Sequence, residues 1–160
     1  MISETMQVIM DEDNRAMIAS RIIKAPRELV YELFTTKKHI DNWYGPQGCQ
    51  TQTSHMDVRE GGIWKYKMSM PNGSSFDAFQ TYTEVVKGEK LVFESAQDEN
   101  APEEQWFTTQ IDFKEAGDET ELTITMSYKT DEMFAQAKQY RAMQGYSSAF
   151  EKLDEYITKL

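Results

Sequence analysis

The last eighteen residues constrain the fold most. Met143, Tyr146, Phe150, Leu153, Ile157 and Leu160 step by three or four, while Glu151, Lys152, Asp154, Glu155 and Lys159 fall off that line. Apolar residues at helical spacing define one long amphipathic helix over 143–160 that must bury a single stripe against something else. Gly145 sits inside or at the entry of this helix. It marks either a close backbone contact or the true start of the helix after a separate turn over 131–142.

The partner of that stripe is a sheet. From Cys49 to Tyr128 the chain reads as six strands, at 51–58, 63–70, 75–86, 91–94, 105–113 and 121–128, joined by short turn sequences such as Pro71-Asn72-Gly73. Trp64, Tyr66 and Met68 alternate with Lys65, Lys67 and Ser69, which separates an apolar face from a wet one. Upstream, residues 6–24 read as one strand or two segments broken at Asp11–Asn14. Pro26 opens a short amphipathic helix over 26–35, and a second covers 37–43 before Gly45-Pro46 stops it. No repeat or linker divides the chain, so residues 1–160 are expected to form one domain.

Composition excludes several roles. The formal charge of −10, with no Lys/Arg cluster, disfavours nucleic acid and anionic membrane surfaces. No apolar run reaches the length of about 20 residues that a membrane-spanning helix needs. The N-terminal residues Met1–Met10 lack the basic start and apolar run of a secretory signal, and Cys49 is the single cysteine, so a cytoplasmic location is expected.

Five motifs, in order, carry a family resemblance. Ala25-Pro26-x-Glu28-x-Val30-Tyr31-x-x-Phe34-Thr35 followed by Ile40-x-x-Trp43-Tyr44-Gly45-Pro46 comes first. Asp57-x-Arg59-x-Gly61-Gly62-x-Trp64, Pro71-x-Gly73, Glu89-Lys90-Leu91-Val92-Phe93 and Gly145-Tyr146-Ser147-x-x-Phe150-x-x-Leu153 follow. Over about residues 17–160 the chain resembles the SRPBCC proteins similar to the activator of the heat-shock-protein-90 ATPase. It departs from them at Tyr146, where the motif usually carries Trp, and at Lys37-Lys38, which replaces Asp-Pro. The resemblance implies a START-like, pollen-allergen-like helix-grip fold of class α+β: a curved antiparallel sheet of about six to seven strands, two short helices, and a long C-terminal helix over an apolar cavity. It does not fix a function.

No Gly-rich phosphate loop, Gly-x-Ser-x-Gly elbow or His-Glu-x-x-His motif is present, and His39, His55 and Cys49 have no partners at metal or nucleophile spacing. No cofactor or metal is expected. Gly61-Gly62 reads as a bend that lets the sheet curve. Asp57 and Arg59, two apart on one strand face, are read first as a salt bridge at that bend and second as a polar pair at a cavity mouth. The side chains most able to line a cavity are Trp43, Tyr44, Trp64, Tyr66, Phe79, Phe93, Trp106, Tyr128, Met143, Tyr146 and Phe150, although the core needs the same residue types.

The leading expectation is therefore a binding protein for a small hydrophobic or amphipathic, lipid-like molecule, as a monomer or homodimer. An enzyme of cyclase, aromatase or hydrolase type using Tyr66, Tyr82, Asp57 or Arg59 is the first alternative. A chaperone-associated interaction module, which the resemblance implies, is the second.

Overall fold

The computed structural model describes residues 5–160; residues 1–4, part of the N-terminal segment read above, lie outside it. Two strands open the chain, β1 (Gln7–Asp11) and β2 (Ala16–Ile23), followed by helices α1 (Arg27–Thr35) and α2 (Lys37–Ile40). Six strands follow: β3 (Gln50–Met56), β4 (Ile63–Ser69), β5 (Ser75–Val86), β6 (Lys90–Ala96), β7 (Phe107–Ala116) and β8 (Glu119–Ser127). Helices α3 (Asp131–Gln139) and α4 (Ala142–Ile157) close it.

All eight strands form one antiparallel sheet in the order β1-β2-β8-β7-β6-β5-β4-β3. The segment 6–24 is a hairpin of two strands. Asn14 bonds back to the Asp11 carboxylate, and Arg15 takes a left-handed backbone conformation at φ 50°, which turns the chain there. Register shifts between Thr53 and His55 and between Tyr82 and Glu84 add local twist, bending the sheet around α4. Beside the second shift, Gly62 lies against the Asp57 carbonyl so closely that a Cβ has no room, and Tyr82 exchanges backbone hydrogen bonds with Gly61 and Gly62. The second glycine is thus required by close backbone approach.

The inner face is continuous across the strands. Trp64 lies beside Gln80, Gln80 beside Ser95, and Ser95 beside Phe107, while Tyr82, Phe93, Thr109, Met126 and Met17 form the next row. Helix α1 covers the far end of this face through Val30, Tyr31, Leu33 and Phe34, with Tyr31 and Phe34 both edge-on to Phe113 at 5.3 Å.

Three boundaries differ from the sequence expectation. Helix α2 stops at Ile40 and residues 41–43 form a turn, because the Asp41 carboxylate is held by the Thr53 amide and hydroxyl across on β3. Most of the interval 131–142, Asp131–Gln139, is helix α3 rather than a separate turn, capped by Thr130, whose hydroxyl accepts from the Met133 amide. Arg141, left-handed at φ 53°, separates it from α4, so Gly145 lies in the first turns of α4. The stripe of α4 is also shorter than predicted. Met143, Tyr146, Ala149, Phe150 and Leu153 are buried, whereas Leu160 lies past the helix end and is exposed.

Two side chains assigned to the wet side of α4 are tied inward. Asp154 receives both hydrogen bonds of Arg21 Nη2, at 2.9 and 2.7 Å, and Arg21 itself is buried on the inner face over the Phe150 ring. Lys152 Nζ donates to the carbonyls of Gly45, Pro46 and Cys49 at 3.2, 3.4 and 3.1 Å. Desolvation there lowers its pKa. Lys152→Met should free the 45–49 loop from α4 and cost about 1.5–3 kcal/mol, the worth of hydrogen bonds to a charged donor. The readout is the urea midpoint together with faster amide exchange in the loop.

Candidate functional site

Between the inner sheet face and the N-terminal half of α4 lies a cavity of about 370 Å³. Its deep walls are Tyr44, Tyr66, Gln80, Phe93, Ser95, Thr109, Met126 and Tyr146, and its mouth carries Phe76, Asp77, Gln97 and Gln105. A smaller space of about 140 Å³ adjoins it under Gly45, Pro46, Met68, Ala142, Gly145 and Ala149. The two share Tyr44, Tyr66 and Tyr146, which form the partition. Each partition residue has a separate origin: Tyr44 from the turn after α2, Tyr66 from the inner face of β4, Tyr146 from the second turn of α4.

The hydroxyls of Tyr44 and Tyr146 are 2.9 Å apart, and Gln80 Nε2 donates to the Tyr66 hydroxyl at 3.4 Å. Burial, the largest cause, pushes the phenol pKa of Tyr44 and Tyr66 well above the ordinary range, and that of Tyr146 also upward. All three are therefore neutral hydroxyls at physiological pH. Tyr146 stands where the resembled motif carries Trp, and only a tyrosine supplies the second hydroxyl of this pair.

Two polar atoms in the wall have no hydrogen-bond partner among the described residues: Gln80 Oε1 and Ser95 Oγ. Their residues are 3% and 4% exposed and face one another across β5 and β6. An unpaired buried polar group costs about 1–3 kcal/mol, so a pair of them bordering open space is a feature in need of a reason.

Of the side chains singled out in the sequence, Tyr44, Tyr66, Phe93 and Tyr146 meet at this cavity. Trp43, Trp64, Tyr128, Met143 and Phe150 are buried in the core beside it and line neither space. Trp43 packs on Phe34 and Phe150, and Trp64 donates to the Thr53 hydroxyl at 3.1 Å. Tyr128 stacks on Phe107, and burial raises its pKa to about 12. Phe79 and Trp106 are corrected: they pack edge to face at 5.9 Å on the outer side of the sheet. Phe79 pairs with Lys65, opposite in parity to Trp64 and Tyr66, and Trp106 immediately precedes inward-facing Phe107.

For Asp57 and Arg59 the salt bridge, the first of the two readings, is present, and the cavity-mouth reading is corrected. They lie beyond the end of β3, not on one strand face, and form an exposed pair with Nε to Oδ2 at 2.7 Å, away from both spaces. Gln80, Ser95, Thr109, Met126 and Phe107 escaped the sequence reading. The signal was their parity: each shares a row with an apolar inward residue once the strands are aligned.

A second depression, about 410 Å³, opens on the outer sheet face between Lys65, Lys67, Asp77, Phe79 and the 97–100 loop. Its charged walls are largely solvated, and none of the unpaired buried atoms borders it. The inner cavity is the better site on physical grounds. Among the described residues no helix is long and apolar enough to cross a membrane.

A curved antiparallel sheet holding a C-terminal helix across its concave face, with a half-open cavity between them, places the molecule in the START-like helix-grip class. The chain belongs to the family described as Activator of Hsp90 ATPase homolog 1-like protein, whose model matches residues 24–158. Solved structures of the same fold include a protein from Arthrobacter aurescens, with TM-score 0.87 and 17% identity over 96% of this chain and 92% of that one. Protein Ms6760 from Mycobacterium smegmatis has TM-score 0.82 and 20% identity, covering 94% of each chain. CalU16 from Micromonospora echinospora is more distant, with TM-score 0.61 and 16% identity over 95% of this chain and 83% of that one. At these identities the likeness carries the fold alone. Among proteins of curated function none matches the chain.

Proposed function

We propose that the protein binds a small hydrophobic or amphipathic molecule between the sheet and α4, as a single domain working in the cytoplasm. The observation that carries this reading is the cavity itself. Its volume of about 370 Å³ falls within the range of about 300–1,000 Å³ typical of small-molecule sites, and aromatic walls enclose a few convergent polar groups, the usual makeup of such a site. Membership of the family supports a ligand-binding or related role in general terms.

Native mass spectrometry and thermal shift against a library of lipids and aromatic metabolites test the reading. A ligand at a hundred times its Kd adds about 2.7 kcal/mol, which for a chain of this size raises Tm by about 5–10 °C. Ala78→Phe, which projects from the inner face of β5 beside Tyr66 at the cavity wall, should fill the space and remove that shift. A shift that survives the filling variant places binding elsewhere and ends the proposal.

A further inference from the structure

Resting on that reading, we infer that the cavity selects an uncharged ring ligand bearing a hydroxyl group, held at its deep end between Gln80 and Ser95. Both side chains are more than nine-tenths buried, stand opposite each other in the β5–β6 ladder, and leave Oε1 of Gln80 and Oγ of Ser95 without partners among the described residues. A hydroxyl is complementary to this pair: it donates to the Gln80 carbonyl oxygen and accepts from the Ser95 hydroxyl. One group of the ligand thereby answers both unpaired atoms.

Charge decides against the alternatives. Among the described residues Lys, Arg and His are absent from the cavity wall, whose ionisable groups are the three tyrosines, neutral through burial, and Asp77 at the mouth. A carboxylate or phosphate entering the deep end would lose its hydration with no cation to meet it, and would pass Asp77 on the way. A primary ammonium would find no carboxylate inside. The remaining wall, Phe93, Phe107, Met126 and the tyrosine rings, offers flat and pliable apolar contacts suited to a ring system.

The test uses the full chain and four naphthalene probes measured by calorimetry: the isosteric pair β-naphthol and β-methylnaphthalene, and the ions β-naphthoate and β-naphthylmethylammonium. The expected order places β-naphthol about tenfold or more ahead of β-methylnaphthalene, with the two ions weaker still. Gln80→Leu and Ser95→Ala should each shrink the preference for β-naphthol over β-methylnaphthalene by about tenfold. Ser95→Ala removes only an unpaired polar atom, whereas Gln80→Leu also removes the long 3.4 Å donor to the Tyr66 hydroxyl, so near-ultraviolet circular dichroism is the folding control for both. Equal binding of β-naphthol and β-methylnaphthalene, or an ion in first place, overturns the hydroxyl inference while leaving the cavity reading intact. No binding by any probe, with Ala78→Phe indistinguishable from the parent, overturns both.

Discussion

Raising the pH above 10 should unfold this protein cooperatively before about pH 12, because buried tyrosines that must stay protonated in the fold ionise freely in the unfolded chain. Burial is the leading cause of the raised pKa at Tyr44, Tyr66, Tyr82 and Tyr146, and it takes Tyr128 to about 12. The sign follows from linkage. A folded-state pKa raised above the unfolded value of about 10 gives stability that is complete below pH 10 and lost as pH rises toward the folded value. Each such group removes about 1.4 kcal/mol per pH unit in that window. Five acting together remove more than about 5 kcal/mol per unit, against a total stability of about 5–15 kcal/mol for a typical domain. Urea midpoints at a series of pH values, with tyrosinate absorbance followed in parallel, measure it. The absorbance should rise with the loss of structure rather than ahead of it. Tyr66→Phe should flatten the slope by about one proton's worth, and a urea midpoint unchanged from neutral pH through pH 11 would contradict the account.

That same burial explains why the partition between the two cavity spaces works as a neutral hydrogen-bonding wall. The Tyr44 and Tyr146 hydroxyls, 2.9 Å apart, bond to each other, and the Tyr66 hydroxyl accepts from Gln80 Nε2. Gln80 Oε1 and Ser95 Oγ, by contrast, are unpaired among the described residues although their strands are adjacent. The difference separates the structural polar groups of this interior from those available for recognition.

Much of the architecture was legible in the chain because periodicity reports it directly. The stripe on α4, the alternation on β4 and the turn at Pro71-Asn72-Gly73 each express one physical constraint in few residues. The cavity was less legible. On β5, Phe76, Phe79 and Tyr82 occupy both parities, so aromatic content alone does not reveal the inner face. The hairpin register does: Ser69 opposite Ser75 places Phe79 against Lys65 and Gln80 against Trp64. Polar residues such as Gln80 and Ser95 were passed over because a polar strand position ordinarily faces water. Lys152 and Asp154 escaped for the same reason, their partners being a loop carbonyl cluster and a buried arginine that no local pattern encodes.

Trp43→Ala should be the most damaging single side-chain truncation in the helical layer, costing about 3–5 kcal/mol. Trp43 is fully buried where the turn after α2 meets α1 and α4, packing on Phe34 at 4.7 Å, Tyr44 at 5.6 Å and Phe150 at 6.2 Å between ring centroids. Its indole N–H donates to the Leu33 carbonyl at 2.9 Å near the end of α1, so truncation opens a cavity and also strips a buried acceptor of its partner. At about 2–4 °C per kcal/mol for a chain of this size, the loss lowers Tm by about 6–20 °C. Trp43→Phe keeps most of the volume and should retain roughly half of the stability that the alanine variant loses. The pair of variants also separates core from site. Because Trp43 lines neither cavity space, the folded fraction of either variant should bind a cavity ligand with a Kd close to that of the parent. Truncation at Tyr66 should do the reverse, changing Kd directly because its ring and hydroxyl form part of the wall. A Trp43→Phe variant that folds fully yet loses the ligand would place this indole in the site after all.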